Sequence, residues 1–153
     1  MIRVVFVCTG NICRSPSAEA VMRQRLHEAG LLDAVEVSSA GLGGWHVGQD
    51  ADKRSLATLR ARGYDLRHAA RQVRKSWADE YDLFVALDSG HLMELRSLMP
   101  GVDARLLRDW DPVGQGNVPD PYYDGQEVFE EVLDIIERSC DGLLEELRRR
   151  LAA

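Results

Sequence analysis

No run of apolar residues in this chain is long enough to span a membrane. The longest near its start is Val4–Val7, against the ~18 residues a spanning helix needs. A secretory leader is not expected either, because the polar string beginning at Thr9 interrupts the start before a hydrophobic region is complete. A cytoplasmic location with no membrane partner follows as the expectation. Cysteine is scarce. Cys8, Cys13 and Cys140 cannot all pair within one chain, and a disulfide framework does not suit a reducing compartment, so any special cysteine should be reactive rather than structural. An excess of positive charge is also missing: the formal net charge is −6, which argues against nonspecific binding to nucleic acid or anionic lipid but leaves room for a local anion site. Lysine is nearly absent, with 17 of the 19 basic residues being arginine. That bias reads as codon usage and solvated helix faces before it reads as an anion-binding surplus. There is no Gly-Lys-Ser/Thr phosphate loop and no dinucleotide fingerprint, and no repeat, low-complexity tract or linker. The 153 residues are expected to form one domain, 1–153.

What is present alternates. Ile2–Val7 is β-branched and apolar apart from Arg3, as in a strand buried on both faces. From Ser15 the chain reads SPSAEAVMRQRLHEAG, with Ala18, Val21, Met22, Leu26 and Ala29 on one helical face and Gly30 as a stop. Further strands are predicted at Ala34–Val37, Tyr81–Leu87 and, more weakly, Val102–Leu107. Helices are predicted at Asp50–Arg62, ended by Gly63, and around His91–Leu98, ended by Pro100 and Gly101. The basic stretch Arg67–Lys75 reads as a solvated helix face. Asp109–Gly125 gathers Pro112, Pro119 and Pro121 with three glycines and should be a surface loop, of a length that tends to be functional. A last helix starts near Gln126 and keeps apolar residues in helical spacing, with Gly142 expected to weaken it by up to ~1 kcal/mol relative to alanine. The pattern predicts the α/β class: a single three-layer domain with a four-stranded parallel sheet, right-handed crossovers and helices on both faces. Ligands of such sheets sit beyond the carboxyl ends of the strands, where Cys8–Ser15 lies.

That loop reads CTGNICRS. Between a strand end and a helix start it can curl so that successive backbone N–H groups converge on one anion, reinforced by the helix N-terminus. Gly10 and Asn11 suit the left-handed conformations such a curl requires. A thiol at its centre is favoured as the nucleophilic thiolate by the same dipoles and by Arg14. Arg14 can also hold two oxygens of a tetrahedral oxyanion in a bidentate contact that lysine cannot match. A phosphate monoester bound this way sets phosphorus against the sulfur, and the Ser15 hydroxyl can hydrogen-bond the thiolate.

At these residues the chain resembles a known family. VCTGNICRSPSAE is similar to the signature of the low-molecular-weight protein tyrosine phosphatases, in a bacterial-type form, and DPYYDG (120–125) resembles their general-acid loop. SSAG, WHVG, RGYDLRHAARQ and VALD extend the likeness over nearly the whole chain. The resemblance implies a flavodoxin-like strand order and a two-step hydrolysis of phosphotyrosine through a phosphocysteine, with no metal and no cofactor. It makes Cys8 the nucleophile and Arg14 with the loop from Thr9, Gly10, Asn11, Ile12 and Cys13 to Ser15 the phosphate site. Asp120 becomes the acid that protonates the leaving oxygen and then the base that activates water, worth ~10²–10⁴-fold, with a mildly acidic optimum. Trp45, Tyr122 and Tyr123 should wall a slot for the aryl ring. Ser39 and His68 should hydrogen-bond Asn11, and Asp88 should support the site. Two departures, Leu42 in place of a threonine and Gly90 in place of an asparagine, bear on loop geometry rather than chemistry.

The implied partners are a tyrosine-phosphorylated protein substrate and, as competing ligands, phosphate and other tetrahedral oxyanions, with the chain monomeric or weakly self-associating and not binding nucleic acid. Two other activities compete. An arsenate reductase on the same loop needs a relay of further thiols, and no cysteine lies between Cys13 and Cys140. A phosphotyrosine-binding module without turnover would lack the nucleophile or the acid. Cys13 also invites a redox reading: oxidised Cys8 can be captured by it as a reversible disulfide.

Overall fold

In a computed structural model that describes Met1–Ala153, the apolar first strand, β1 (Ile2–Cys8), occupies the middle of the sheet. It pairs on one side with β2 (Val35–Gly41) and on the other with β3 (Leu83–Ala86), which in turn pairs with β4 (Ala104–Leu106); all pairs are parallel and the order is β2-β1-β3-β4. This is the doubly wound, flavodoxin-like order. Val4, Phe6 and Cys8 point to one face and Val5 and Val7 to the other, and each face has its own apolar cluster. The first is covered by α1 (Arg14–Glu28), α2 (Lys53–Ala61) and α4 (Gln126–Ala152) through Val21, Leu26, Leu59, Leu133 and Ile136. The second is covered by α3 (Ser89–Leu98) and a 3-10 turn at Lys75–Asp79 through Leu95 and Trp77. No helix is long and apolar enough to cross a membrane.

Three departures from the sequence expectations bear on the site. β2 runs four residues further than predicted, through Ser38, Ser39, Ala40 and Gly41, so that Gly41 pairs with Cys8. These small and polar residues carry little strand propensity; their pairing with β1 holds them. The Arg67–Lys75 stretch is not a helix before Lys75. Buried Tyr64 and Leu66 alternate with exposed Asp65 and Arg67, an extended pattern, and the chain then bridges to the edge of β2, with Gly41 N–H donating to Arg71 O and Val73 N–H to Gly41 O, both at 2.8 Å. Finally, α4 is continuous through Gly142. The glycine is there because the Trp110 carbonyl presses on the helix where a side chain would stand; Trp110 closes a second 3-10 turn at Leu107–Trp110.

Candidate active site

β1 delivers Cys8 to the carboxyl edge of the sheet, and the chain turns through Thr9–Cys13 into α1. The turn is made at Asn11, whose φ of +58° is the sole positive value at a non-glycine residue. The loop can pass this close to β2 because Gly41 has no side chain: a Cβ there would come within 2.9 Å of Gly10 C and Thr9 O. The backbone N–H groups of residues 9–15 have no acceptor within the protein, and α1 has no acidic residue in its first turn and no side-chain cap. The positive end of the helix dipole and a run of free donors are therefore open to an anion at the cysteine.

Asn11 is fully buried and organises the turn. Its amide nitrogen donates to Ser15 Oγ at 2.9 Å and to Ser39 Oγ at 3.0 Å, its Oδ1 accepts from Arg71 N–H at 2.9 Å, and its carbonyl lies 2.6 Å from His68 Nε2. The Ser39 hydroxyl in turn donates to Glu19 Oε1 at 2.7 Å. The Ser15 hydroxyl lies 2.9 Å from Cys8 Sγ and 3.3 Å from the Ala40 carbonyl.

Arg14 is almost completely buried. Its Nη1 donates to Asp88 Oδ2 and to the Val118 carbonyl, both at 2.9 Å, which fixes the guanidinium plane, while Nη2 lies 3.7 Å from Asp120 Oδ2. Asp88 also caps α3, accepting from His91 N–H at 2.9 Å. Burial disfavours the charge on Asp88, but the His91 N–H and Arg14 overcome it and hold its pKa below the usual carboxylate value. The His91 ring is buried beside Asp88 with Nε2 2.9 Å from Thr9 Oγ1. Burial, with the charge of Arg14 adding to it against Asp88, pushes its pKa down to about 4. The ring is therefore neutral at pH 7.

Cys8 opens onto a cavity of about 250 Å³ whose walls include Trp45, Tyr122, Tyr123 and Asp120. Trp45 and Tyr123 are largely exposed and Tyr122 partly so; the two tyrosine rings meet edge to face at 4.9 Å. Trp45 lies over Gly43, where any side chain would overlap its ring. Asp120 is half exposed and accepts from Tyr122 N–H at 3.1 Å. Cys13 lies beneath the loop, where burial is the main cause of a thiol pKa pushed up to about 12. No group of three His, Cys, Asp or Glu side chains converges in a way that could hold a metal ion.

Reading the sequence did not single out Arg71, His91, Arg54 or the Val118 carbonyl. Val118 acts through its backbone, which leaves no side-chain signal. Arg71 and Arg54 sit among many other arginines, and His91 read as part of a helix.

Strand order and site together define an α/β protein with a cysteine at the end of its central strand, facing a loop of free backbone N–H groups beside a buried arginine. A profile described as "Low molecular weight phosphotyrosine protein phosphatase" matches residues 3–153. The chain is 53% identical to a low molecular weight protein-tyrosine-phosphatase of Streptomyces coelicolor over 97% of its length and 95% of that protein's. It is 48% identical to low molecular weight protein-tyrosine phosphatase A of Mycobacterium tuberculosis, over 99% and 94%. It superposes with a TM-score of 0.94, at 35% identity and over 97% and 98% of the two chains, on a crystal structure of a protein tyrosine phosphatase from Entamoeba histolytica with Hepes in the active site. The chain belongs to the low-molecular-weight phosphotyrosine protein phosphatase family and is an enzyme of that class.

Proposed function

We propose that this enzyme hydrolyses phosphotyrosine and related aryl phosphates in two steps through a phosphocysteine. The observation that carries the reading is the junction of Cys8 Sγ with the Ser15 hydroxyl inside a loop of unpaired N–H groups, closed on one side by the braced Arg14. The phosphate dianion binds to the loop amides and to the Arg14 edge not used by Asp88 and Val118. The Cys8 sulfur attacks phosphorus as the bond to the aryl oxygen breaks, and Asp120 supplies that oxygen's proton. Water then gives a proton to the Asp120 carboxylate as it attacks phosphorus; the sulfur–phosphorus bond breaks, and the sulfur leaves as a thiolate hydrogen-bonded by Ser15. Trp45, Tyr122 and Tyr123 flank the aryl ring, and a phenol, with a pKa near ~10, leaves far more readily than an alkyl alcohol. The Hepes bound in the Entamoeba relative carries a sulfonate, which agrees with inorganic phosphate and similar oxyanions competing here.

Arsenate reduction is the weaker reading. It requires a thiol relay, and Cys140 is fully buried in α4, its sulfur facing the Ala18 carbonyl at 3.9 Å. The test is phosphate release from an aryl phosphate across pH 5–8, with a phosphoserine peptide as contrast. Multiple turnovers that vanish in Cys8→Ser and fall ~10²-fold or more in Asp120→Asn are expected. A reduced protein that releases no phosphate, or only one equivalent, overturns the reading.

A further inference from the structure

The acid loop is held to the fold at few points. Val118 is anchored by its N–H to the Leu87 carbonyl at 2.8 Å, and α4 begins at Gln126. Between them, the only backbone bond within residues 119–125 is Asp124 N–H to Pro121 O. Arg14 approaches Asp120 at 3.7 Å. The Gly125 carbonyl accepts from Val128 N–H at 3.1 Å where α4 begins, and every other polar contact that the rest of the protein makes with these residues comes from one side chain. Arg54 Nη2 donates to the Tyr122 carbonyl at 2.7 Å and Nη1 to the Asp124 carbonyl at 3.3 Å. Its guanidinium lies 4.6 Å from the Phe129 ring centroid on α4 and 5.7 Å from that of Tyr122.

The other side of Arg54 is fixed as firmly. Asp52 caps α2 and grips the same guanidinium at 3.2 Å through both Nε and Nη2. The N–H of Asp52 in turn donates to the Ile12 carbonyl, inside the cysteine loop, at 2.8 Å. A cation in the first turn of a helix is opposed by the helix dipole, and α2 begins with two, Lys53 and Arg54, and no acidic residue in that turn. The sequence at this point serves a contact other than helix stability. A planar fork that reaches two carbonyls while lying against aromatic rings is a geometry lysine cannot reproduce.

We propose that Arg54 is a positioning residue for general acid catalysis: clamped by Asp52, it ties the loop bearing Asp120 to the loop bearing Cys8 and so sets where the acid meets the leaving oxygen. The proposal rests on the phosphatase reading above. It follows that loss of Arg54 matters in proportion to how much the leaving group needs a proton.

The experiment compares kcat/KM, which reports the steps up to phosphocysteine formation, for dinitrophenyl phosphate, whose phenol leaves unaided, and phenyl phosphate, whose phenol does not. In Arg54→Met, kcat/KM is expected to fall ~10-fold or more with phenyl phosphate while staying within ~3-fold with the dinitrophenyl ester, with Arg54→Lys between Arg54→Met and wild type. In an Asp120→Asn background, Arg54→Met should add nothing with phenyl phosphate, because the two act as a unit. The inhibition constant of inorganic phosphate should not change, since the cradle is untouched. Equal losses with both esters, or full additivity with Asp120→Asn, overturn the proposal, and Arg54→Lys supplies the same comparison should Arg54→Met fail to fold. A wild-type enzyme without Cys8-dependent turnover is a separate outcome that overturns the phosphatase reading first and the positioning role with it.

Discussion

Ser15 is committed to Cys8 by what Asn11 does. Because the Asn11 amide donates to Ser15 Oγ, the hydroxyl proton of Ser15 is free to point elsewhere, and the sulfur at 2.9 Å is its nearest partner. Ser15→Ala should therefore weaken the nucleophile and the leaving thiolate together. A hydrogen bond to a charged group is worth about 1.5–3 kcal/mol, so kcat should fall ~10–100-fold. Inactivation by iodoacetate at fixed pH should slow as well. An unchanged alkylation rate would place the serine proton on Ala40 instead.

Asn11 combines two tasks that substitution can separate. Its left-handed backbone costs a residue with a Cβ about 1–2 kcal/mol, and its amide holds Ser15 and Ser39. Asn11→Gly removes only the amide, whereas Asn11→Ala removes it and keeps the backbone cost. Both should lose activity ~10²-fold or more. Asn11→Ala should be less stable than Asn11→Gly by that backbone cost, which thermal unfolding reads as a Tm lower by about 2–6 °C.

His91 makes stability depend on pH in a definite direction. A histidine ordinarily takes up its proton near ~6.5, but burial has pushed this one down to about 4. Between these values the unfolded chain binds more protons than the folded one, so this group's contribution falls as the pH drops from about 6.5 to 4 and is constant below that window. The full loss is on the order of 3 kcal/mol. His91→Gln should flatten the dependence of the urea midpoint on pH between 7 and 4.5. A slope equal to that of wild type would show that the ring is accessible to protons in the folded state.

Cys13 as a trap for oxidised Cys8 requires its thiolate, and a thiol pushed up to about 12 is almost wholly protonated at pH 7. Capture should therefore be slow and should accelerate about tenfold per pH unit over the range below that value. After a peroxide pulse, the fraction of activity that a dithiol restores should rise from pH 7 to 9 in wild type and show no such rise in Cys13→Ser. Identical recovery in both proteins would remove Cys13 from the redox chemistry.

The parts of this molecule that were legible in advance are those whose signal is periodic or local. The apolar run at Val4–Val7, the turn-forming pair Gly10 and Asn11, and the helical spacing of Val128–Leu147 each specify an element from a short stretch of chain. What could not be read depends on distant partners. Ser39 becomes strand only because β1 pairs with it, and the stretch from Arg67, expected as a helix face, instead runs along the β2 edge through Arg71 and Val73. Arg71 belongs to a basic stretch that is exposed as expected, and nothing in that stretch signals that its guanidinium lies 4.8 Å from the Trp77 ring centroid while its backbone N–H serves Asn11.

The absence of a side chain at Gly142 has a consequence for anyone engineering this enzyme. Replacing a mid-helix glycine with alanine is a routine way to raise thermal tolerance, by up to ~1 kcal/mol. Here the added methyl would collide with the Trp110 carbonyl. Trp110 precedes Asp111, whose carboxylate is gripped by Arg108 and Arg138, and the same segment leads on to Val118, one of the two anchors of Arg14. A designer guided by propensity scales alone would be pushing on the segment whose far end braces the Arg14 guanidinium.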